Sequence, residues 1–521
     1  MTNTAMETQG LTAWLAVLSC LAFGFGGCRS DTPRNTGSPR TLRVLYDADE
    51  QSLYPGSDDV PLRLVFSPFV SYATLEKWYC WEPEQGLAEH WEHSPDWRTW
   101  TVRLREGLQW HDGAPVTAED VRFTVELWRH PDVRHWAGES IDSVVVIDDR
   151  TFRIHYRRPS REVLNGWDVF YPAHLLRGLD PRRFWDWGFW ERPVGNGPFR
   201  YLRSVPQTMM AFEPHTAHPL AHRGLDRLIV KWGGASALTE LESGSVDAVA
   251  GVSPGDAARL RGNSLYRVHV VSFSAGVSLF WNTRVAPFDR ASVRRALTMA
   301  IDRRELHRSL DLPDDLPLTD GIHTPCQFAR SELSAPLPFD PVEAGRLLTE
   351  AGWTDRDGDG IRDRAGSRFM FTVTVPTDWL QAREAAVYLQ QALRSVGVAM
   401  EIETLERRVV GDRLNAGNLE ALIWIAGPRA DQHLRRFGTG SPLGFENPRL
   451  NSLLEAAREA MDPMVEDSLY RLASEVFERE MPATWLYPKV DFSVTRANVR
   501  GYDAAQGDLF MNLGRVWLEE P

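Results

Sequence analysis

The sequence predicts an α/β fold, and three observations carry that expectation. From Thr41 to the C-terminus, short runs with apolar residues at every second position alternate with longer runs spaced like helix faces. Glycine, proline, Asp and Asn stand between those runs where helices begin and end. The chain has 521 residues, 43% hydrophobic and 25% charged, ample for large cores and more than one domain.

Taken in order, residues 1–27 read as a targeting segment. Leu11 to Gly27 is uncharged and mostly apolar, ends in small residues, and is short for a membrane span. Phe25-Gly26-Gly27-Cys28 resembles a bacterial lipobox, which makes Cys28 the expected lipidation site and residues 28–40 a polar Pro/Gly/Ser tether. Thr41 to Tyr46 opens the folded part as a strand. Trp100, Val102 and Leu104 alternate with polar residues, a strand again. His111-Asp112-Gly113 is turn chemistry, because Asp bonds its own backbone and Gly accepts positive φ. Thr117 sits three before Asp120, a near-capping box for a helix closed at Pro131.

Residues 142–157 read as a hairpin around Asp148-Asp149-Arg150, and Leu225 to Trp232 as a strand. Ser236 to Ser243 is a short helix ended by Gly244, and Val246 to Val252 a buried strand. Asp289 is expected to cap a helix from Ala291 to Ile301. Asp340 caps another, with Pro341 at its first position and Gly352 at its end. A strand at Phe369 to Val375, a helix from Glu384 to Val396 and a strand from Val398 to Thr404 follow. Helices from Leu450 to Ala460 and from Val465 to Glu480 complete the set. There is no internal repeat or heptad run.

Net charge is −13, which argues against nucleic acid as a partner. Lys77, Lys231 and Lys489 are the only lysines, so the cationic surface is arginine. Cys20 is expected to leave with the leader and Cys28 to carry lipid. Cys80 and Cys326 remain as either a disulfide pair or two separate thiols.

Asp355-Arg-Asp-Gly-Asp-Gly360 begins like a calcium loop, but its twelfth position is Gly366 where a bidentate Glu is needed, so it reads as a solvated turn. Glu89, His90 and His93 are not in the zincin order. His215, His218 and His222 read as surface or capping histidines in a Pro-rich loop. There is no P-loop, nucleophile elbow or dinucleotide fingerprint outside the leader, so no metal, cofactor or catalytic residue is expected. Trp185, Trp187 and Trp190 offer either an aromatic wall or core packing.

Several segments, in order, resemble the family 5 solute-binding proteins, which capture peptides, nickel or other solutes for ABC importers. They are Trp100–Arg129; Val194-Gly-Asn-Gly-Pro-Phe199; Ala237–Ala248, with its Gly-Ser-Val-Asp; Asn282-Thr283 through Pro287-Phe-Asp289 to Ala300-Ile-Asp302; and Phe339-Asp-Pro to Ala351-Gly-Trp353 with Asp357–Ile361. The resemblance implies a two-lobed, type II periplasmic-binding-protein-like shell with a ligand cleft. Lobe I is expected over 41–275, joined again by 480–521, and lobe II over 276–479, with crossings near 270–282 and 478–490. It further implies a monomeric, extracytoplasmic carrier, held to the membrane by lipid on Cys28, that hands a peptide to a permease. The alternatives are a nickel complex, an oligosaccharide or an opine-like solute, or a solute-sensing receptor. An enzyme is not expected.

Trp281, Asn282 and Trp424 correspond to cleft-bordering family segments. Leu422-Ile-Trp-Ile-Ala-Gly-Pro428 resembles the family's Trp-x-Ala-Asp-Tyr, whose Asp pairs with a peptide's α-ammonium. Here that position is Gly427, and Asp431 is the candidate substitute.

Overall fold

The computed structural model describes residues 39–46, 60–67, 70–71, 84–133, 135–165, 169–219, 224–232, 237–322, 335–427, 430–504, 509 and 513–519. The leader, Cys28, Cys80, Cys326 and His222 lie outside them. A ten-stranded sheet organises the unit Pro39–Pro521. Its order is Ala399–Leu405, Met370–Pro376, Ala421–Ala426, Tyr266–Trp281, Ala483–Arg496, Ala248–Ala250, Thr41–Tyr46, Arg227–Trp232, Met209–Pro214 and Phe199–Val205. Parallel pairs stand on either side of the middle, as befits an α/β architecture. The two long strands Tyr266–Trp281 and Ala483–Arg496 pair antiparallel between them, with register shifts after Ser272 and Val277. These strands overlap both segments where the sequence suggested crossings.

A second, antiparallel sheet holds Ala88–His93, Thr99–Leu104, Thr151–Tyr156 and Ile141–Val146. The helix Ala118–Trp128 packs on it, its first turn fixed by Asp120, which accepts from the Thr117 backbone N–H at 2.8 Å. The other Asp120 oxygen accepts from the Ala173 N–H at 2.8 Å, and Trp110 Nε1 donates to the first at 3.3 Å. Burial pushes the Asp120 carboxyl above its usual range despite these donors.

The turn motifs explain one another in space. The His111 backbone N–H donates to the Gly195 carbonyl at 2.8 Å, and His111 Nδ1 accepts from the Gly195 N–H at 3.2 Å. Gly195 and Gly197 lie against the backbone of Leu64–Phe66 so closely that a β-carbon at 195 would stand 1.9 Å from the Val65 carbonyl oxygen. Only glycine fits there, which is the physical content of the Gly-x-Gly-Pro-Phe turn.

Most element expectations meet their strand or helix within a few residues. The helix expected from Asp289 differs. It runs Ala291–Met299, and its N-cap is Arg290, extended at φ −105 and ψ 122 and making no side-chain cap bond. Asp289 stands one residue too early to cap it. The helix placed at Glu384 begins at Leu380, one turn sooner. The helix Ala430–Phe437 went unpredicted, because its sequence ADQHLRRF is mostly polar.

Candidate ligand-binding site

The antiparallel register of Tyr266–Trp281 with Ala421–Ala426 decides which tryptophans reach a cavity. Gly276, Ser278 and Phe280 stand opposite Ala426, Trp424 and Leu422, while Val277, Leu279 and Trp281 stand opposite Ile425, Ile423 and Ala421. Side chains alternate faces along a strand, so these are two separate rows. Most of the Trp281 row is sealed, since Val277, Leu279, Trp281, Ala421 and Ile423 share one core cluster, while half-buried Ile425 at its end touches the cavity. Trp281 is 0% exposed and stacks on Phe288 at 4.9 Å. Asn282 is also buried, and its amide donates to the Leu419 carbonyl at 2.6 Å while its oxygen accepts from the Arg284 N–H at 3.1 Å. The expectation that these two residues border the cleft gives way: one is core and the other ties the end of the strand to the 417–419 loop.

The Trp424 row opens onto a cavity of about 690 Å³ at the carboxyl end of Ala421–Ala426. That size lies in the range of small-ligand pockets. Trp424 and Gly427 line it together with Asn415, Gln432, Arg435 and Arg436. Asp431 lies in the helix Ala430–Phe437, which supplies this wall. Sequence reasoning missed Gln432, Arg435 and Arg436, because the short, mostly polar helix Ala430–Phe437 that carries them has little periodic signal.

The electrostatics are one-sided. Among the described lining residues there are two arginines and a histidine and no carboxylate. Arg436 is half-buried with its guanidinium 6.0 Å from the Phe280 ring centroid. Burial, and then the Arg435 charge, hold its pKa below arginine's ordinary value. Arg407 lies 5.3 Å from the Trp424 ring centroid and pairs with Asp378 at 2.9 Å. At Gly427, a β-carbon would meet Gln432 Oε1 at 1.8 Å, so the Gln432 amide occupies the place of any larger residue.

The remaining sequence candidates resolve as structure. Glu89 pairs with Arg103 at 2.8 Å, and His93 stacks on Trp97 at 3.6 Å. His215 and His218 are buried, contrary to a surface role: His215 Nδ1 donates to the Gly197 carbonyl at 3.2 Å and His218 Nε2 bonds Ser67 Oγ at 2.9 Å. Trp187 and Trp190 are buried, and their indole N–H groups donate to the Asp180 and Phe184 carbonyls at 3.0 and 2.8 Å, while Trp185 is exposed. Asp355, Asp357 and Asp359 gather exposed carboxylates, used locally: Asp355 accepts from the Gly358 and Gly360 N–H groups and Asp359 pairs with Arg368.

The model of the bacterial extracellular solute-binding proteins, family 5 Middle, matches residues 82–440, well over half of the chain and all of the pocket's lining residues but Pro442. The chain belongs to this family. Oligopeptide-binding protein AppA of Bacillus subtilis is 22% identical over 461 residues, covering 83% of each chain. Among solved structures, the substrate-binding protein CtaP of Listeria monocytogenes superposes at TM-score 0.79 with 17% identity, covering 93% of this chain and 100% of the other. NikZ of Campylobacter jejuni, solved with Ni(L-His), superposes at TM-score 0.73 with 19% identity, covering 92% and 99%. The two-lobed, type II α/β shell of family 5 is therefore the fold, and the relatives are binding proteins of transporters.

Proposed function

We propose that this protein is the extracytoplasmic solute-binding subunit of an ABC importer and that it carries a peptide in the cavity at Trp424 and Gly427. Residues 41–275 with 480–521 form one lobe and 276–479 the other, and ligand capture closes them for docking on a membrane permease. The observation that carries this reading is the family match across the pocket, joined to a cavity of about 690 Å³ with an aromatic floor and a few polar groups. The kinship with an oligopeptide-binding protein favours peptides over the other solutes. The chain acts as a monomer, and the Gly27-Cys28 sequence supports lipid attachment at Cys28.

A thermal-shift screen tests the ligand class, because a bound ligand stabilises by RT ln(1 + [L]/Kd), and micromolar affinity corresponds to about −8 kcal/mol. Pools of di- to penta-peptides should raise the melting point, whereas a nickel–histidine complex and oligosaccharides should not. The reverse pattern removes the peptide reading. For the anchor, Cys28→Ser should release the protein from membranes of a bacterial host, and retention would exclude lipidation at that residue.

A further inference from the structure

We infer that the Trp424–Gly427 pocket recognises a carboxylate of its ligand through the Arg436 guanidinium, and does not hold a free α-ammonium; this deepens the peptide reading above and rests on it. The described lining residues include two arginines and no carboxylate. Arg436 is the telling member. It is half-buried against Phe280, the like charge of Arg435 acts on it, and no carboxylate is paired with it among the described side chains. A guanidinium withdrawn from water without an anion is costly, and the planar fork matches a carboxylate with two parallel hydrogen bonds. The ligand is thus the natural source of the missing charge. An α-ammonium meets the opposite situation. No carboxylate is among the described lining residues, and at Gly427 the neutral amide of Gln432 fills the space a larger side chain would take. The Arg436 guanidinium then stands on the same wall, so an unpaired ammonium would be both desolvated and repelled.

The test uses the full chain and three versions of one random tripeptide-to-pentapeptide pool: free acid, C-terminally amidated, and N-acetylated with a free C-terminus. Melting shifts are read against peptide concentration. The free-acid and N-acetylated pools should act alike, and the amidated pool should bind roughly tenfold to a hundredfold more weakly, the loss expected for one charge-assisted partner. Arg436→Gln should weaken free-acid binding by a similar factor and leave the residual response to the amidated pool unchanged. Should the unliganded melting point of Arg436→Gln show a damaged fold, Gln432→Glu asks the same question: it places a carboxylate beside Arg436 and should exclude the free-acid pool. Equal binding of amidated and free-acid pools overturns the inference and leaves the peptide reading standing. So does loss of binding on N-acetylation, or loss of amine-bearing ligands in Asp431→Ala. Failure of all three pools overturns the peptide reading itself, and the inference with it.

Discussion

The Gln432 side chain lies over the α-carbon of Gly427, its Oε1 1.8 Å from where a β-carbon at 427 would stand. The two residues share the space in which an acid would sit. Gly427→Asp should therefore swing the flexible Gln432 amide aside, at an overpacking cost of up to about 1–3 kcal/mol, and set a carboxylate among the arginines. Free-acid peptides should then bind about tenfold more weakly, as one charged partner is neutralised within the protein. Titration calorimetry of the variant checks this. Unchanged affinity would mean that position 427 does not face the ligand.

Arg303 and Asp320 form a buried ion pair, 3% and 4% exposed, at 2.5 Å. Arg303 also donates to the Thr319, Trp485 and Leu337 carbonyls, so one guanidinium joins the helix Arg303–Ser309 to a loop and to the long strand Ala483–Arg496. Asp320→Ala should cost about 3–5 kcal/mol in urea denaturation, because a buried charge loses its partner. A joint Arg303→Met, Asp320→Leu replacement should cost less than that single change. If Asp320→Ala moves stability by under about 1 kcal/mol, the pair is not a structural lock.

His111 gives a pH dependence with a defined sign. Burial holds its pKa down at about 3, against an ordinary value of 6.5. His135, His269 and His307 are likewise held at about 4 by burial. These histidines are neutral when folded and take up protons when unfolded, so the unfolded state binds more protons below pH 6.5. Stability should be level with respect to these groups above pH 6.5 and fall as pH drops toward 3 to 4. Each contributes a slope near 1.4 kcal/mol per pH unit at most. His111→Gln should flatten the slope of urea-derived stability between pH 6 and pH 4; an unchanged slope would show that His111 is not buried neutral.

Arg161 and Glu466 stand 305 residues apart and pair at 2.6 Å, only 9% and 16% exposed. They join the segment after the antiparallel sheet to the helix Pro463–Glu480, which the two-lobe reading assigns to different lobes. If ligand capture closes the lobes, this pair belongs to the closed state. Glu466→Gln should then weaken ligand binding several-fold, as expected for roughly 1–3 kcal/mol of lost charge-assisted bonding. A double-mutant cycle with Arg161→Gln, measured with and without peptide, separates this from simple destabilisation. Equal coupling in both conditions would place the pair in a rigid part of the fold.

Local signals were enough for the elements that close on themselves. Thr117 and Asp120, Asp340 and Pro341, and Gly397 act within a turn or two of chain, so their helix ends were legible in advance. The hairpin at 148–150 was legible for the same reason. The helix Ala430–Phe437 was not, since a short polar segment carries little periodic signal and is held by burial of His433 and Phe437.

By itself the sequence determined the alternating α/β class, most helix caps, the turn glycines and the ordered motifs of family 5. Each of these depends on neighbours along the chain or on patterns that repeat locally. It also marked Trp281, Trp424 and Gly427 as one neighbourhood. Only the tertiary structure separated them. The pairing of Ser278 with Trp424 and of Trp281 with Ala421 assigns the two tryptophans to opposite faces of one sheet, where Trp281 is fully buried in a core cluster and Trp424 is half-buried at the cavity. Docking of the helix Ala430–Phe437 sets Arg436 over Phe280, on the Trp424 face, where it lines the cavity. Strand register and helix docking are contacts between distant segments, and no local pattern encodes which face they leave open.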